Sequence, residues 1–274
     1  MRITLHPFRA HAERLQWHQL RQHQKTGELR LYLDCPDYVS TQVETVLSSR
    51  GIHRLPIKGL QNARWTYRYS LNALPSTRER DCLELLEKVV TIRPPSGVNI
   101  AIALDYYKDP DSDPDPMQWK NTKAGELVSR AKYKKAPGAL DDLTRELVSV
   151  VRRHPLLSGC DAVLSIPGHD ALNESFSEQL ARAVAADLGI PFERTGARRV
   201  TRPEAKAIGE SDDLSNEFTV NSVVRGRPVL IVDDVLMSGR TMAAVANAAR
   251  RAGAVAVCGL VGAKTLKKQA RNDA

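Results

Sequence analysis

The sequence predicts an α/β protein, with a doubly wound parallel sheet in its C-terminal part and a small additional α/β region before it. Three observations carry this reading. Residues 229–232, Val-Leu-Ile-Val, are continuously apolar and largely β-branched, the pattern of a strand buried on both faces. After residue 117, strand-like and helix-like stretches alternate with short connections, as in chains that build parallel sheets. The chain has 274 residues, 42% of them apolar, enough for a substantial core and about two domains.

Taken in order, the elements are these. Five of the seven histidines (His6, His11, His18, His23 and His53) lie early in the chain at spacings that match no metal site, so a solvated arm is expected there. Residues 29–34 alternate like a half-buried strand. Residues 38–49 read as a helix closed by Gly51, residues 80–90 as a second helix and residues 99–105 as a strand. Residues 109–116, Asp-Pro-Asp-Ser-Asp-Pro-Asp-Pro, can form neither a helix nor a central strand. They read as an exposed linker between an N-terminal region, 1–108, and a domain spanning 117–274. Their alternating aspartates suggest a calcium loop, but Pro114 stands where a glycine is required and Lys120 where the closing glutamate belongs. Helices are expected at 122–135, 140–154, 172–188 and 241–252, and strands at 161–167, 229–232 and 254–261. Residues 194–215 are charged and show no period.

Composition narrows the function classes. The longest apolar run, 252–263, is shorter than the ~20 residues of a membrane span. The N-terminus lacks a secretory apolar stretch. Cys35, Cys82, Cys160 and Cys258 are scattered, without a C-x-x-C pair, which fits a reducing compartment. A cytoplasmic protein without a membrane partner is expected. The formal charge of +8 favours anionic partners. The basic tail with Lys264, Lys267 and Lys268 is a candidate contact for nucleic acid, with a solubilising terminus as the plainer reading. No P-loop and no G-x-G-x-x-G follows a strand.

The residues that carry chemistry follow the 229–232 strand. Asp233 and Asp234 stand at its carboxyl end, the edge of an α/β sheet where ligands bind. Ser238, Gly239 and Thr241 then bring hydroxyls and unhindered backbone N–H groups to a helix N-terminus, an anion site. Carboxylates for ribose hydroxyls or a metal, followed by a loop for phosphate, suit a sugar phosphate. Upstream, Ser165, Ile166, Pro167, Gly168 and His169 form a strand-to-helix turn. Its Pro-Gly can expose N–H groups to an anion, and His169 can add charge. An ordinary turn is the plainer reading.

The run 229–241 resembles the signature of type I phosphoribosyltransferases, enzymes that bind phosphoribosyl pyrophosphate (PRPP). The resemblance implies a sheet of that kind. It implies that Asp233 and Asp234 are catalytic and contact the ribose 2′ and 3′ hydroxyls. Met237, Ser238, Gly239, Arg240 and Thr241 would hold the 5′-phosphate. The 165–169 turn would be the pyrophosphate loop, and Mg²⁺ would enter with PRPP through ligands the sequence does not specify. Met237 replaces the Thr, Asp or Ala usual in the family and cannot act as a general base. A mobile hood is implied at 195–216. Arg198, Arg199, Arg202 and Lys206 make its first half basic; Glu210, Asp212 and Asp213 make its second half acidic.

Within that group the sequence is most similar to the ComF-like branch over about residues 120–266. The similar features are Ala131-Lys132-Tyr133, Pro167, Leu180-Ala181-Arg182, Asn216, Phe218 and Gly253-Ala254. It lacks the branch's four-cysteine zinc module. Leu172-Asn173-Glu174-Ser175 stands in place of Arg-Gly-Phe-Asn, and Asp213 and Leu214 in place of a hood arginine. Two cations expected near pyrophosphate are therefore missing. The leading functional reading is transfer of phosphoribose from PRPP to an unknown acceptor, with release of pyrophosphate. The other is a non-catalytic regulatory or nucleic-acid-binding module on the same fold, in DNA uptake or an anti-phage or toxin-like system. The partners expected are PRPP or a related ribose phosphate, with nucleic acid and homo-oligomers left open.

Overall fold

Two sheets with helical layers between and beyond them make up the computed structural model, which describes residues 13–56, 65–170, 172–199, 214 and 216–266. The smaller sheet comes first. Its strands are β1 (Trp17–Gln22), β2 (Leu29–Asp34), β3 (His53–Arg54) and β4 (Tyr67–Leu71), antiparallel in the order β1-β2-β4-β3. Alternation along β2 turns Leu29, Leu31 and Leu33 to one face and Arg30, Tyr32 and Asp34 to the other. Helices α1 (Asp37–Val46) and α2 (Thr77–Lys88) cover the leucine face, where Leu31, Leu33 and Tyr69 share a core with Val39, Val43, Cys82 and Leu83. Ser76 and Glu79 close a capping box at the start of α2.

The histidine-rich arm is corrected here. Residues 17–22 are a strand, His18 Nδ1 lies 2.8 Å from Glu87 of α2, and His53 belongs to β3. His6 and His11 lie outside the described residues. The run Trp-His-Gln-Leu-Arg-Gln has one aliphatic residue, so a period of two is invisible; pairing with β2 supplies what propensity does not.

The larger sheet holds β5 (Val90–Ile92), β6 (Ile100–Tyr106), β7 (Ala162–Ser165) and β8 (Phe192–Glu193). A separate two-stranded ribbon pairs β9 (Gly196–Ala197) with β10 (Phe218–Thr219). The large sheet is completed by β11 (Pro228–Leu236) and β12 (Ala256–Lys264). Its order is β5-β6-β12-β11-β7-β8, with β5 antiparallel to β6 and the remaining pairs parallel. Helices α3 (Lys123–Lys132), α4 (Ala139–Arg153) and α5 (Phe176–Leu188) pack on the face carrying Leu230, Val232 and Leu260. Helix α6 (Arg240–Arg251) packs on the face carrying Val229, Ile231 and Val261. The sheet is thus doubly wound, as the sequence predicts.

The strand expected at 99–105 with the N-terminal region is β6, inside the large sheet. The last residue of the helix expected at 80–90 belongs to β5. Residues 109–116 form a loop after β6, where Asp109, Asp113 and Asp115 each accept the backbone N–H two residues on. We therefore place the division between the sheets near residue 89 rather than at 109–116. Buried Gln42 of α1 and His154 after α4 meet at 2.6 Å between the helical layers, and burial pushes the imidazole down to about 4, so it is neutral there.

Two glycines set how closely α3 approaches the sheet. A Cβ on Gly262 of β12 would lie 2.8 Å from Val128 Cγ2 and 2.8 Å from the Asp234 carbonyl. A Cβ on Gly125 would lie 1.9 Å from the Tyr107 carbonyl oxygen, a backbone atom that cannot turn aside. Gly125→Ala is expected to destabilise the protein by about 2–3 kcal/mol through overpacking. Urea unfolding should show a lower midpoint at an unchanged slope; an unchanged midpoint would contradict the packing described.

Candidate functional site

The sheet reverses direction between β7 and β11. From β7 the chain moves outward to β8; from β11 it moves the other way to β12. The crevice above the carboxyl ends of these two strands is the switch point at which α/β sheets bind ligands. Both candidate loops flank it. Ser165 ends β7 directly opposite Val232 of β11, and Asp233 and Asp234 follow one step beyond.

The carboxylates do not stand past the strand, as expected, but within its last turn of ladder. Asp233 pairs in register with Val261, and Val235 and Leu236 continue to Ala263 and Lys264. Alternation aims Asp234 at the α3–α5 face, where its side chain is 5% exposed. Its Oδ2 lies 2.6 Å from Nζ of Lys132. The Ser177 hydroxyl, in the first turn of α5, is within donating reach of Asp233 Oδ1 at 2.8 Å and Asp234 Oδ1 at 3.0 Å. One hydroxyl proton serves two carboxylate oxygens. The N–H of Asp234 also donates to Asp233 Oδ1 at 2.9 Å. The cluster therefore gains a positive end from α5 and a cation from α3.

The charges respond to this crowding. Burial, and then the neighbouring charge of Asp234, push the Asp233 carboxyl well above the usual carboxylate range. For Lys132, burial works against the ammonium, but Asp234 outweighs it and the net shift is upward. Lys132 stays cationic, and Asp233 takes up a proton more readily than an ordinary carboxylate.

The residues expected to form a phosphate loop lie immediately beyond. Met237 and Ser238 are exposed, and Gly239 is buried with φ +76°. A side chain there would be strained, and its Cβ would also press to 3.0 Å on Pro95. Gly239 caps α6, and the Arg240 N–H donates to Ser238 Oγ at 3.4 Å. Thr241 follows in the first turn. The helix thus presents backbone N–H groups beside the carboxylates.

Across the crevice, Ser165, Ile166 and Pro167 are buried, Gly168 is partly buried and His169 is exposed. The unusual backbone expected at Gly168 is not a positive φ; a Cβ there would lie 2.7 Å from Ser175 Cβ, so the glycine lets the loop lie against the start of α5. Ser165 Oγ is buried and has no hydrogen-bond partner among the described residues.

Where a hood is expected, the feet are described and the tip is not. Strands β9 and β10 pair, and the Arg198 N–H donates to the Glu217 carbonyl. Arg199, in the basic half of the expected hood, is tied to buried Glu217 at 3.0 Å. Arg202, Lys206, Glu210, Asp212 and Asp213 lie outside the described residues, as do Lys267 and Lys268. Lys264 is not part of a free tail: it ends β12 and ion-pairs with Glu13.

Two members of the cluster were not singled out as site residues by sequence. Lys132 entered only as part of Ala131-Lys132-Tyr133, and Ser177 lies inside a helix opened by Ser175 and Glu178. A lysine closing an amphipathic helix reads as a solvated charge, and nothing local shows that α3 ends over the carboxylates.

The comparisons with known proteins bear on this region. The family model described as the phosphoribosyl transferase domain matches residues 174–273. The hypoxanthine/guanine phosphoribosyltransferase of Methanocella paludicola is 30% identical over 120 residues, covering 43% of this chain and 59% of that protein. That of Methanohalophilus mahii is 32% identical over 83 residues, covering 30% of this chain and 40% of that protein. The chain thus spans about half the length of the curated relatives it matches. Among solved structures, a purine phosphoribosyltransferase from Pyrococcus horikoshii Ot3 is 17% identical, covering 47% of this chain and 83% of that one, with a TM-score of 0.31. The orotate phosphoribosyltransferase from Aeropyrum pernix is 20% identical, covering 52% and 65%, at 0.32. Scores this low carry no conclusion of their own. No helix among the described residues is long and apolar enough to cross a membrane.

The cluster generates two predictions. Lys132→Met leaves Asp234 without its counter-charge and is expected to cost about 2 kcal/mol, less than a fully buried pair because Lys132 is 34% exposed. Adding Asp234→Asn should recover most of that loss in urea unfolding; a strictly additive double variant would contradict the pairing. Asp233 binds its proton more tightly folded than unfolded, so stability falls as pH rises from the ordinary carboxylate range through the raised value. Asp233→Asn is therefore expected to melt above the wild type at neutral pH, with the difference vanishing below about pH 4. A variant that melts lower at neutral pH would contradict this.

Proposed function

We propose that the large-sheet unit is a phosphoribosyltransferase that binds PRPP with Mg²⁺ and transfers its phosphoribosyl group to an acceptor, releasing pyrophosphate. The observation that carries this is the convergence at one switch point of a carboxylate pair, Asp234 buried and Asp233 partly so, and a glycine-opened helix N-terminus, opposite the 165–169 turn. In this reading the ribose 2′ and 3′ hydroxyls donate to Asp233 and Asp234, displacing the Ser177 hydroxyl. The 5′-phosphate accepts from backbone N–H groups of residues 238–241. Pyrophosphate lies toward Pro167, Gly168 and His169.

Lys132 supplies one of the two cations that the sequence lacks at the expected positions. Its nearness to the carboxylates gives Ala131-Lys132-Tyr133 a physical role and supports the narrower likeness to the ComF-like branch. The described residues contain no group of three or more His, Cys, Asp or Glu side chains that could cage a metal. That donor set suits Mg²⁺, which favours one or two carboxylates plus substrate phosphates over an all-protein site. Asp233 and Asp234 would hold it, and bound there it would neutralise charge on the departing pyrophosphate.

The chain's own residues do the rest. The bond from C1 to the pyrophosphate oxygen breaks and its electron pair leaves with pyrophosphate, while an acceptor lone pair forms the new bond to C1. Positive charge grows on the ribose ring as this happens. Asp234 meets it as negative charge, the growing positive charge favours ionisation of Asp233 as well, and Lys132 is the cation beside the pair. Met237 is 43% exposed and has no titratable group, so the acceptor's proton must leave by another route. This favours acceptors that need little help from a base.

The test is pyrophosphate release from PRPP with Mg²⁺ and a panel of acceptors that includes hypoxanthine and guanine, the bases named for the curated relatives. Asp234→Asn is expected to lower release on the order of a hundredfold or more without unfolding the protein. Wild-type rates in that variant would overturn the assignment.

A further inference from the structure

We propose that the outward face of the small sheet binds single-stranded nucleic acid, stacking bases on its aromatic and guanidinium planes and meeting phosphates with its arginines. The strand register assigns the face. Arg30, Tyr32 and Asp34 of β2 point away from the leucine core; opposite them stand Arg21, Gln19 and Trp17 of β1, and Ser70 and Arg68 of β4. Both helices of the unit lie on the other side: Tyr69 donates to Glu44 of α1, and His18 contacts Glu87 of α2.

On the outward face the side chains are stacked. The Arg21 guanidinium lies over the Tyr32 ring at 4.5 Å, Trp65 meets the same ring edge-on at 5.3 Å, and Arg68 lies 5.8 Å from the Trp65 ring centre. Two of the chain's three tryptophans, Trp17 and Trp65, are here. Tyr32 itself is 6% exposed, so the layer above it, Arg21 with Trp65, meets solvent.

A purely structural role would need Arg21 and Trp65 only to shield Tyr32. It does not account for the charge pattern. Arg30 is balanced by Glu28, and Asp34 lies at the end of the face, but neither Arg21 nor Arg68 has a carboxylate partner among the described residues. Arg68 spends one N–H on the Pro56 carbonyl, and its Nε has no hydrogen-bond partner among the described residues. Guanidinium planes beside aromatic rings on an open sheet are what unstacked bases and their phosphates bind. Duplex bases are stacked on one another and cannot reach such a platform. The chain's formal charge of +8 works in the same direction.

The test is fluorescence anisotropy with the full chain and labelled oligonucleotides of about a dozen nucleotides, as DNA, as RNA and as the DNA duplex. Either single strand is expected to bind more tightly than the duplex, to weaken steeply with salt and to quench tryptophan emission; the tighter of DNA and RNA identifies the source. Arg21→Glu, at an exposed position, and Trp65→Ala are each expected to weaken binding by about tenfold or more. Arg145→Glu, an exposed change on α4, should not. No single-strand binding at low salt, equal binding of the duplex, or equal losses from Arg21→Glu and Arg145→Glu would overturn the proposal. Arg21→Glu keeps it testable if Trp65→Ala fails to fold. The outcome is independent of the transferase reading, whose residues these variants do not touch.

Discussion

Two carboxylates next to each other at the end of a buried strand cannot both be ionised without help, and the large-sheet unit is arranged around supplying it. Asp233 and Asp234 share the Ser177 hydroxyl, and Asp234 takes the Lys132 ammonium. Each of these groups comes from a different helix. Lys132 reaches only because α3 lies close on β12, and α3 lies close only because residues 125 and 262 have no side chain. Ser177 reaches because Ser175, which caps α5 two residues earlier, lies against Gly168. The packing of the helical layer and the electrostatics of the crevice are one constraint.

That arrangement is costly in the free protein and, on the proposed reading, useful in a complex. A carboxyl group held above its ordinary pKa destabilises the fold wherever it is ionised, a cost that the proposed ligand would offset. Ribose hydroxyls would replace a single shared serine proton with two donors, and a cation would relieve the repulsion. The glycine-opened start of α6 beside the pair offers backbone N–H groups that need no such relief, because a helix N-terminus already favours an anion.

What the sequence shows and what it hides follow from how local each signal is. The 229–232 strand, the Asp233-Asp234 pair and the Gly239 turn are encoded within one short run, and the structure places them side by side. The helices α1, α4 and α6 were readable along the chain, α1 with Gly51 beyond its end. The contacts that complete the cluster were not: Ser177 and Asp233 are 56 residues apart, and Lys132 lies farther still. Strand β1 was hidden for a different reason, since its side chains lack an apolar alternation and its existence depends on β2. Arg199 looked free by composition and is held by Glu217, a buried acid on the far side of the ribbon. The outward face of the small sheet was equally invisible, because it is assembled from β1, β2 and the approach to β4 by register alone.

The central claim is that the crevice between β7 and β11 holds a ribose phosphate on Asp233 and Asp234. Calorimetric titration of PRPP with Mg²⁺ into the wild type and into an Asp233→Asn, Asp234→Asn double variant addresses it directly. The account predicts saturable binding to the wild type and none to the double variant, with both proteins folded. Equal binding to the two, or none to a folded wild type, would contradict it.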